Sequence, residues 1–136
     1  MLGASCPTVG WPRCGEIDIM ENVGYDPDVI HANIHTQAYN HVMKTNKGDK
    51  ITIPAPHRDF HTYAVDWTPH AMEFSVDGKV YFRYANEKTG AAVWPFDKPH
   101  YLILNIAIGG AWGGTKGIDD AIFPQRMEID WVRVYQ

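Results

Sequence analysis

The chain has 136 residues, enough for one domain (1–136) with its own core. It carries a formal net charge of −4 and no basic stretch, which argues against a nucleic-acid partner. No apolar run approaches the ~18 residues of a membrane span, so no membrane is expected as a partner.

The first residues, Met1 to Ser5, show neither a basic n-region nor an apolar h-region, so no signal peptide is expected within this chain. Met1-Leu2-Gly3 reads as the end of a strand. Cys6 and Cys14 bracket a loop with Pro7, Gly10 and Pro12, and a disulfide and two free thiols both remain open there. Strand periodicity then runs through almost the whole chain. Val29–Thr36 alternates loosely, Ile51–Ile53 is short and stopped by Pro54 and Pro56, and Phe60–Trp67 puts Tyr63, Val65 and Trp67 on one face. Met72, Phe74 and Val76 alternate with polar residues, Asp77-Gly78 signals a tight hairpin, and Val80, Phe82 and Tyr84 continue on the return. Tyr101–Ile108 is apolar on both faces, as a central sandwich strand would be, and Met127–Tyr135 alternates again as a closing strand. No long amphipathic helix is evident. The expected fold class is an all-β antiparallel sandwich.

The most informative stretch is Glu16-Ile17-Asp18-Ile19-Met20-Glu21, three carboxylates within an otherwise apolar segment. In a regular strand Glu16 and Asp18 share a face and Glu21 points the other way. One β-bulge, most simply at Met20, turns Glu21 back beside them. Glu16 and Glu21 are then about 13 Å apart at Cα. Inward-leaning side chains on a concave surface could bring the carboxyl groups to about 5–5.5 Å, the spacing of a retaining glycosidase pair. Acids on a strand more often face solvent, but three on one face repel one another and destabilise the fold unless function uses them. In such a pair one carboxyl is held protonated by nearby charge and burial, while the other stays ionised to attack.

Other residues carry two readings each. Trp11 and Trp112 are candidate sugar-stacking platforms or rim tryptophans, whereas Trp67 and Trp131 read as core or rim. His35 is a candidate near the acid/base or the leaving-group sugar, or a satisfied core histidine. Asn105, the one polar residue within Tyr101–Ile108, is to contact the catalytic face or a substrate hydroxyl, or only the sheet. His31 and His35 have helical zinc spacing, but in a strand they lie about 13 Å apart and cannot share an ion.

The segment Gly10–Gly24 resembles the active-site strand of glycoside hydrolase family 16, in its laminarinase-type branch of endo-β-1,3-glucanases. The resemblance continues at Ala32–Thr36, Phe60–Pro69, Trp94–Asp97 and Leu102–Gly114, and ends at Met127–Tyr135. It covers nearly the whole chain in order. It implies a concanavalin-like jelly roll with a carbohydrate cleft on its concave face and a retaining double displacement. Glu16 would be the nucleophile, ionised to attack, Glu21 the acid/base, kept protonated by nearby charge and partial burial, and Asp18 the residue that hydrogen-bonds the nucleophile. The implied partner is a β-glucan polysaccharide such as laminarin or a mixed-linkage glucan, and the implied location is secreted or extracellular. The rival reading is an inactive fragment or a non-catalytic carbohydrate-binding domain; agarose, carrageenan or porphyran are alternative sugars. No cofactor is expected, apart from the structural calcium that many family members hold near the position of Asp130. Family members carry further strands ahead of this motif, so the chain resembles their C-terminal part. The sandwich is then expected to be incomplete on its N-terminal side, with exposed apolar faces that favour self-association or pairing with an N-terminal portion.

Overall fold

The structure is a computed structural model describing residues 1–136. It consists of two antiparallel sheets packed face to face. The larger contains β1 (Leu2–Gly3), β2 (Glu16–Val23), β3 (Asp26–His35), β4 (Lys47–Thr52) and β8 (His100–Tyr101), in the order β4-β3-β2-β1-β8. The smaller is a meander of β5 (Tyr63–Trp67), β6 (Ala71–Val76) and β7 (Lys79–Ala85). Helical structure is confined to single turns: α1 (Cys6–Val9), α2 (Gly110–Gly113) and a 3-10 turn at Asp120–Ile122.

Alternation decides which face each strand buries. On β2 and β3, Ile17, Ala32 and Ile34 are buried toward the smaller sheet. Met72 and Phe74 of β6 and Tyr84 of β7 meet them, and Val93, Trp94 and Phe96 close one end. The Tyr84 hydroxyl donates to the Val93 carbonyl at 2.7 Å, and its ring stacks on Trp94 with centroids 5.4 Å apart. The hydroxyl therefore keeps a partner inside the core, where an unpaired one would be destabilising.

The β6–β7 hairpin forms where Asp77-Gly78 signals it. Both turn residues have positive φ, 50° and 79°, as a type I′ turn requires. Cys6 and Cys14 are joined in a disulfide, with Cα atoms 4.8 Å apart. This settles the alternative left open by the sequence.

Two expected strands do not form. Only Tyr101 of Tyr101–Ile108 joins a ladder, opposite Leu2, and Leu102–Ile108 is exposed without backbone partners. Met127–Tyr135 is likewise exposed and unpaired. A strand exists only through a neighbour that takes its N–H and C=O groups, and none lies beside these segments. Trp131, expected in the core or at the rim, stands 46% exposed with the Arg133 guanidinium 4.5 Å from its ring.

Candidate active site

The site is built on β2. Gly15, at φ 79°, turns the chain from the disulfide loop into this strand, and a Cβ there would lie 2.7 Å from Pro95. Only glycine satisfies both demands. Asp18 then pairs with Asn33, whereas Glu21 pairs with His31. Three steps on β2 answer two on β3, so one extra residue lies within Ile19-Met20. The expected bulge is present. It places Glu16, Asp18 and Glu21 opposite His35, Asn33 and His31, on the face turned away from buried Ile17 and Ile34.

The three carboxylates do not share the same surroundings. Asp18 is mostly enclosed, with its carboxyl pushed up from 3.8 to about 8. Burial is the largest cause, followed by the charges of Glu16 and Glu21, while the amino terminus pulls the other way. Asp18 therefore keeps its proton at neutral pH and shares it in a hydrogen bond with Glu16. Burial and like charge thus hold a proton on Asp18, an effect that sequence reasoning did not assign to this residue. The cause is placement, because Asp18 stands between the two glutamates and is mostly enclosed.

Glu16 accepts a second hydrogen bond from the Trp11 indole N–H. Trp11 is 36% exposed beside the acids. Its centroid lies 5.0 Å from that of His41 and 5.9 Å from that of His35, and the two histidines meet edge to face at 5.1 Å. The loop carrying His41 is organised by buried Asn40, whose amide donates to the Thr36 carbonyl at 3.2 Å and whose oxygen accepts from Met43 N–H at 3.0 Å.

His35 lies at the Glu16 end of the row rather than beside Glu21, because the antiparallel register pairs it with Glu16. It is 7% exposed, with Nε2 3.4 Å from Asp18 and Nδ1 unpartnered, so it is not a satisfied core histidine. Burial lowers its pKa, outweighing the attraction of Glu16, and neighbouring His41 lowers it further. A neutral imidazole beside a protonated carboxyl is a polar contact and not an ion pair.

At the other end, Glu21 accepts a hydrogen bond from the Asn33 amide at 2.6 Å. Sequence reasoning missed Asn33 as a site residue. Its signal was the alternation of His31, Asn33 and His35 with Ile30, Ala32 and Ile34, which assigns it to the polar face. Trp112 of α2 is 39% exposed and meets His31 edge-on with centroids 5.3 Å apart, which places it at the Glu21 end. Asn105 is exposed on the unpaired segment, contrary to the expectation of a buried amide at the catalytic face.

Glu16, Asp18 and His35 present possible ligand atoms within 4.8 Å of one another, the one group of three metal-ligating residues so placed. Protonated Asp18 and His35's unfavourable charging fit a proton-sharing cluster at neutral pH. Asp130 is exposed and belongs to no such group.

Comparison with known proteins gives a consistent result. The model for glycosyl hydrolases family 16 matches residues 5–133. A β-glucanase of Rhodothermus marinus is 49% identical over 131 residues, covering 93% of this chain and 46% of that protein. The X-ray structure of the laminarinase from Rhodothermus marinus superposes with a TM-score of 0.84 at 47% identity, covering 86% of this chain and 49% of that one. A β-1,3-glucan-binding protein of Penaeus monodon is 32% identical over 139 residues, covering 83% of this chain and 38% of that protein. The chain thus spans about half the length, or less, of these relatives.

Proposed function

We propose that this chain, which belongs to glycosyl hydrolase family 16, carries the catalytic strand of a retaining endo-β-1,3-glucanase acting on laminarin-type or mixed-linkage β-glucan. The observation that carries the reading is the bulge within Ile19-Met20, which returns Glu21 to the face of Glu16 and Asp18. A retaining glycosidase needs a nucleophile and an acid/base on one surface with an anomeric carbon between them.

Glu16 attacks the anomeric carbon and forms a glycosyl-enzyme as the glycosidic bond breaks. Glu21 gives its proton to the departing oxygen. It then takes a proton from the water that attacks the same carbon and releases Glu16. Asp18 donates to Glu16 in the resting state, as does the Trp11 indole. Both hydrogen bonds orient the nucleophile. The part-exposed Trp11 ring suits the C–H face of a pyranose. The names of the relatives, a β-glucanase and a laminarinase, support glucan as the sugar. The disulfide suits an oxidising compartment and hence a place outside the cytoplasm.

Reducing-end release from laminarin by the purified chain tests the reading. Turnover is expected, and Glu16→Gln and Glu21→Gln are each expected to lower it by about 10²–10⁴-fold. Near-normal rates in either variant would refute the roles. A second reading, glucan binding without hydrolysis, is favoured by the relative named as a β-1,3-glucan-binding protein. Its signature is retention of laminarin that is lost in Trp11→Ala, kept in Glu16→Gln, and never accompanied by product.

A further inference from the structure

We infer that Asn33 is a positioning residue for Glu21, and that Asn46 and Gly48 of the neighbouring strand and its approach set the direction in which its amide points. This rests on the reading of Glu21 as the acid/base. The Asn33 amide nitrogen donates to Oε2 of Glu21 at 2.6 Å. Its oxygen accepts from the Asn46 amide at 2.9 Å. The order of this chain follows from its end. A carboxylate oxygen can only accept, so Asn33 must turn its NH2 toward Glu21, its oxygen then faces Asn46, and Asn46 must answer with its own NH2.

Gly48 makes room for the arrangement. It lies opposite Asn33 in the β3–β4 register, and a Cβ there would stand 2.3 Å from Asn33 Oδ1 and 2.4 Å from the Ala32 carbonyl. Any side chain at 48 would drive the amide from its place. The same device acts on the chemistry. With Oε2 occupied as an acceptor, the proton that Glu21 delivers must reside on Oε1. One oxygen of the acid/base is held by the protein and the other is left for substrate or water. The fold thereby selects which carboxyl oxygen reacts, using two amides and a missing Cβ on the edge of the sheet. Neither amide needs to touch the sugar.

The test uses NMR on the full chain, which needs no turnover. The side-chain amide protons of Asn33 are followed across pH in the wild type and in Glu21→Gln, Asn46→Ala and Asn46→Asp. In the wild type one Asn33 amide proton should lie downfield, and its position should respond to ionisation of a carboxyl. That response should vanish in Glu21→Gln. Removing the Asn46 hydrogen bond in Asn46→Ala should raise the exchange rate of the Asn33 amide by roughly fivefold, as the loss of about one ordinary hydrogen bond implies. Asn46→Asp can only accept, so it should turn the Asn33 NH2 away and abolish the downfield proton. An Asn33 amide indifferent to Glu21→Gln, or unchanged in both Asn46 variants, would overturn the inference. Laminarin hydrolysis by Glu21→Gln separates the two levels. A fully active Glu21→Gln would end the acid/base reading and leave the relay in place, whereas an inactive Glu21→Gln with an indifferent Asn33 amide would end the relay alone.

Discussion

Asp18→Asn should stabilise the protein, and increasingly so as pH rises. The Asp18 carboxyl moves from 3.8 to about 8 on folding, because burial and the charges of Glu16 and Glu21 disfavour its ionised form. Between those values the folded chain holds a proton that the unfolded chain has released. Its contribution to stability is therefore fully present below about pH 4 and is lost as pH rises through about 8. Each pH unit within that window removes about 1.4 kcal/mol. From pH 5 to pH 8 the loss is on the order of 4 kcal/mol. Asparagine cannot ionise, and its amide can still donate to Glu16. The stability difference between Asp18→Asn and wild type should thus grow by about that amount across the window and level off above it. At roughly 3–5 °C per kcal/mol for a chain of this size, the melting temperatures should diverge by roughly 10 °C or more between pH 5 and pH 8. Thermal unfolding followed by circular dichroism at pH 5, 6.5 and 8 measures this, since titrations of groups that do not interact with Asp18 cancel between the two proteins. A difference that stays constant with pH, or shrinks, would refute the assignment of the bound proton to Asp18.

Trp11→Phe keeps an aromatic face but loses the indole N–H that Glu16 accepts. It should retain laminarin binding in affinity electrophoresis while Trp11→Ala loses it, and equal loss in both would remove the distinction between stacking and hydrogen bonding. The Cys6–Cys14 disulfide closes a loop with a sequence separation of 8. Its removal by the double serine variant should lower stability by about 2–3 kcal/mol in urea unfolding, and an unchanged midpoint would show that the bond does not constrain the unfolded chain. Leu102, Ile103, Leu104, Ile106 and Ile108 are 43–63% exposed, and Val134 is 81% exposed. An apolar surface of this kind favours association, so sedimentation should show species heavier than the 15.4 kDa monomer at micromolar concentration. A monomer throughout would contradict it.

How far the fold was legible depended on whether each signal was local. Asp77-Gly78 specifies its hairpin because two consecutive positive φ values are tolerated by few residue pairs. The bulge in β2 was legible because three acids in six residues fit one solvent-facing surface only if an extra residue is inserted. β4 begins at Lys47, well before Ile51–Ile53, and its first four residues are polar or glycine and exposed. An edge strand of this composition buries nothing and leaves no periodic trace. Tyr101–Ile108 misled for the opposite reason: two apolar faces describe a central strand, but the pattern does not supply the neighbours such a strand needs. At the site, Glu16, Asp18, Glu21, Trp11 and Trp112 were proposed from residue type and context. Asn33, the Glu16 end for His35, and the proton on Asp18 come from register and burial, which no single position reveals.

The most direct measurement of the central claim is covalent labelling of the nucleophile. An epoxyalkyl β-glucoside is attacked by the carboxylate that sits at the anomeric position while the acid/base protonates the epoxide oxygen. After reduction of the Cys6–Cys14 disulfide, trypsin releases Cys14–Lys44, which contains all three acids of β2, and fragmentation by mass spectrometry locates the label within it. The expected result is one adduct on Glu16, absent in Glu16→Gln and formed far more slowly in Glu21→Gln. A label on Asp18 or Glu21, on a carboxylate outside this strand, or on none at all would contradict the assignment of Glu16 and Glu21 as a retaining pair.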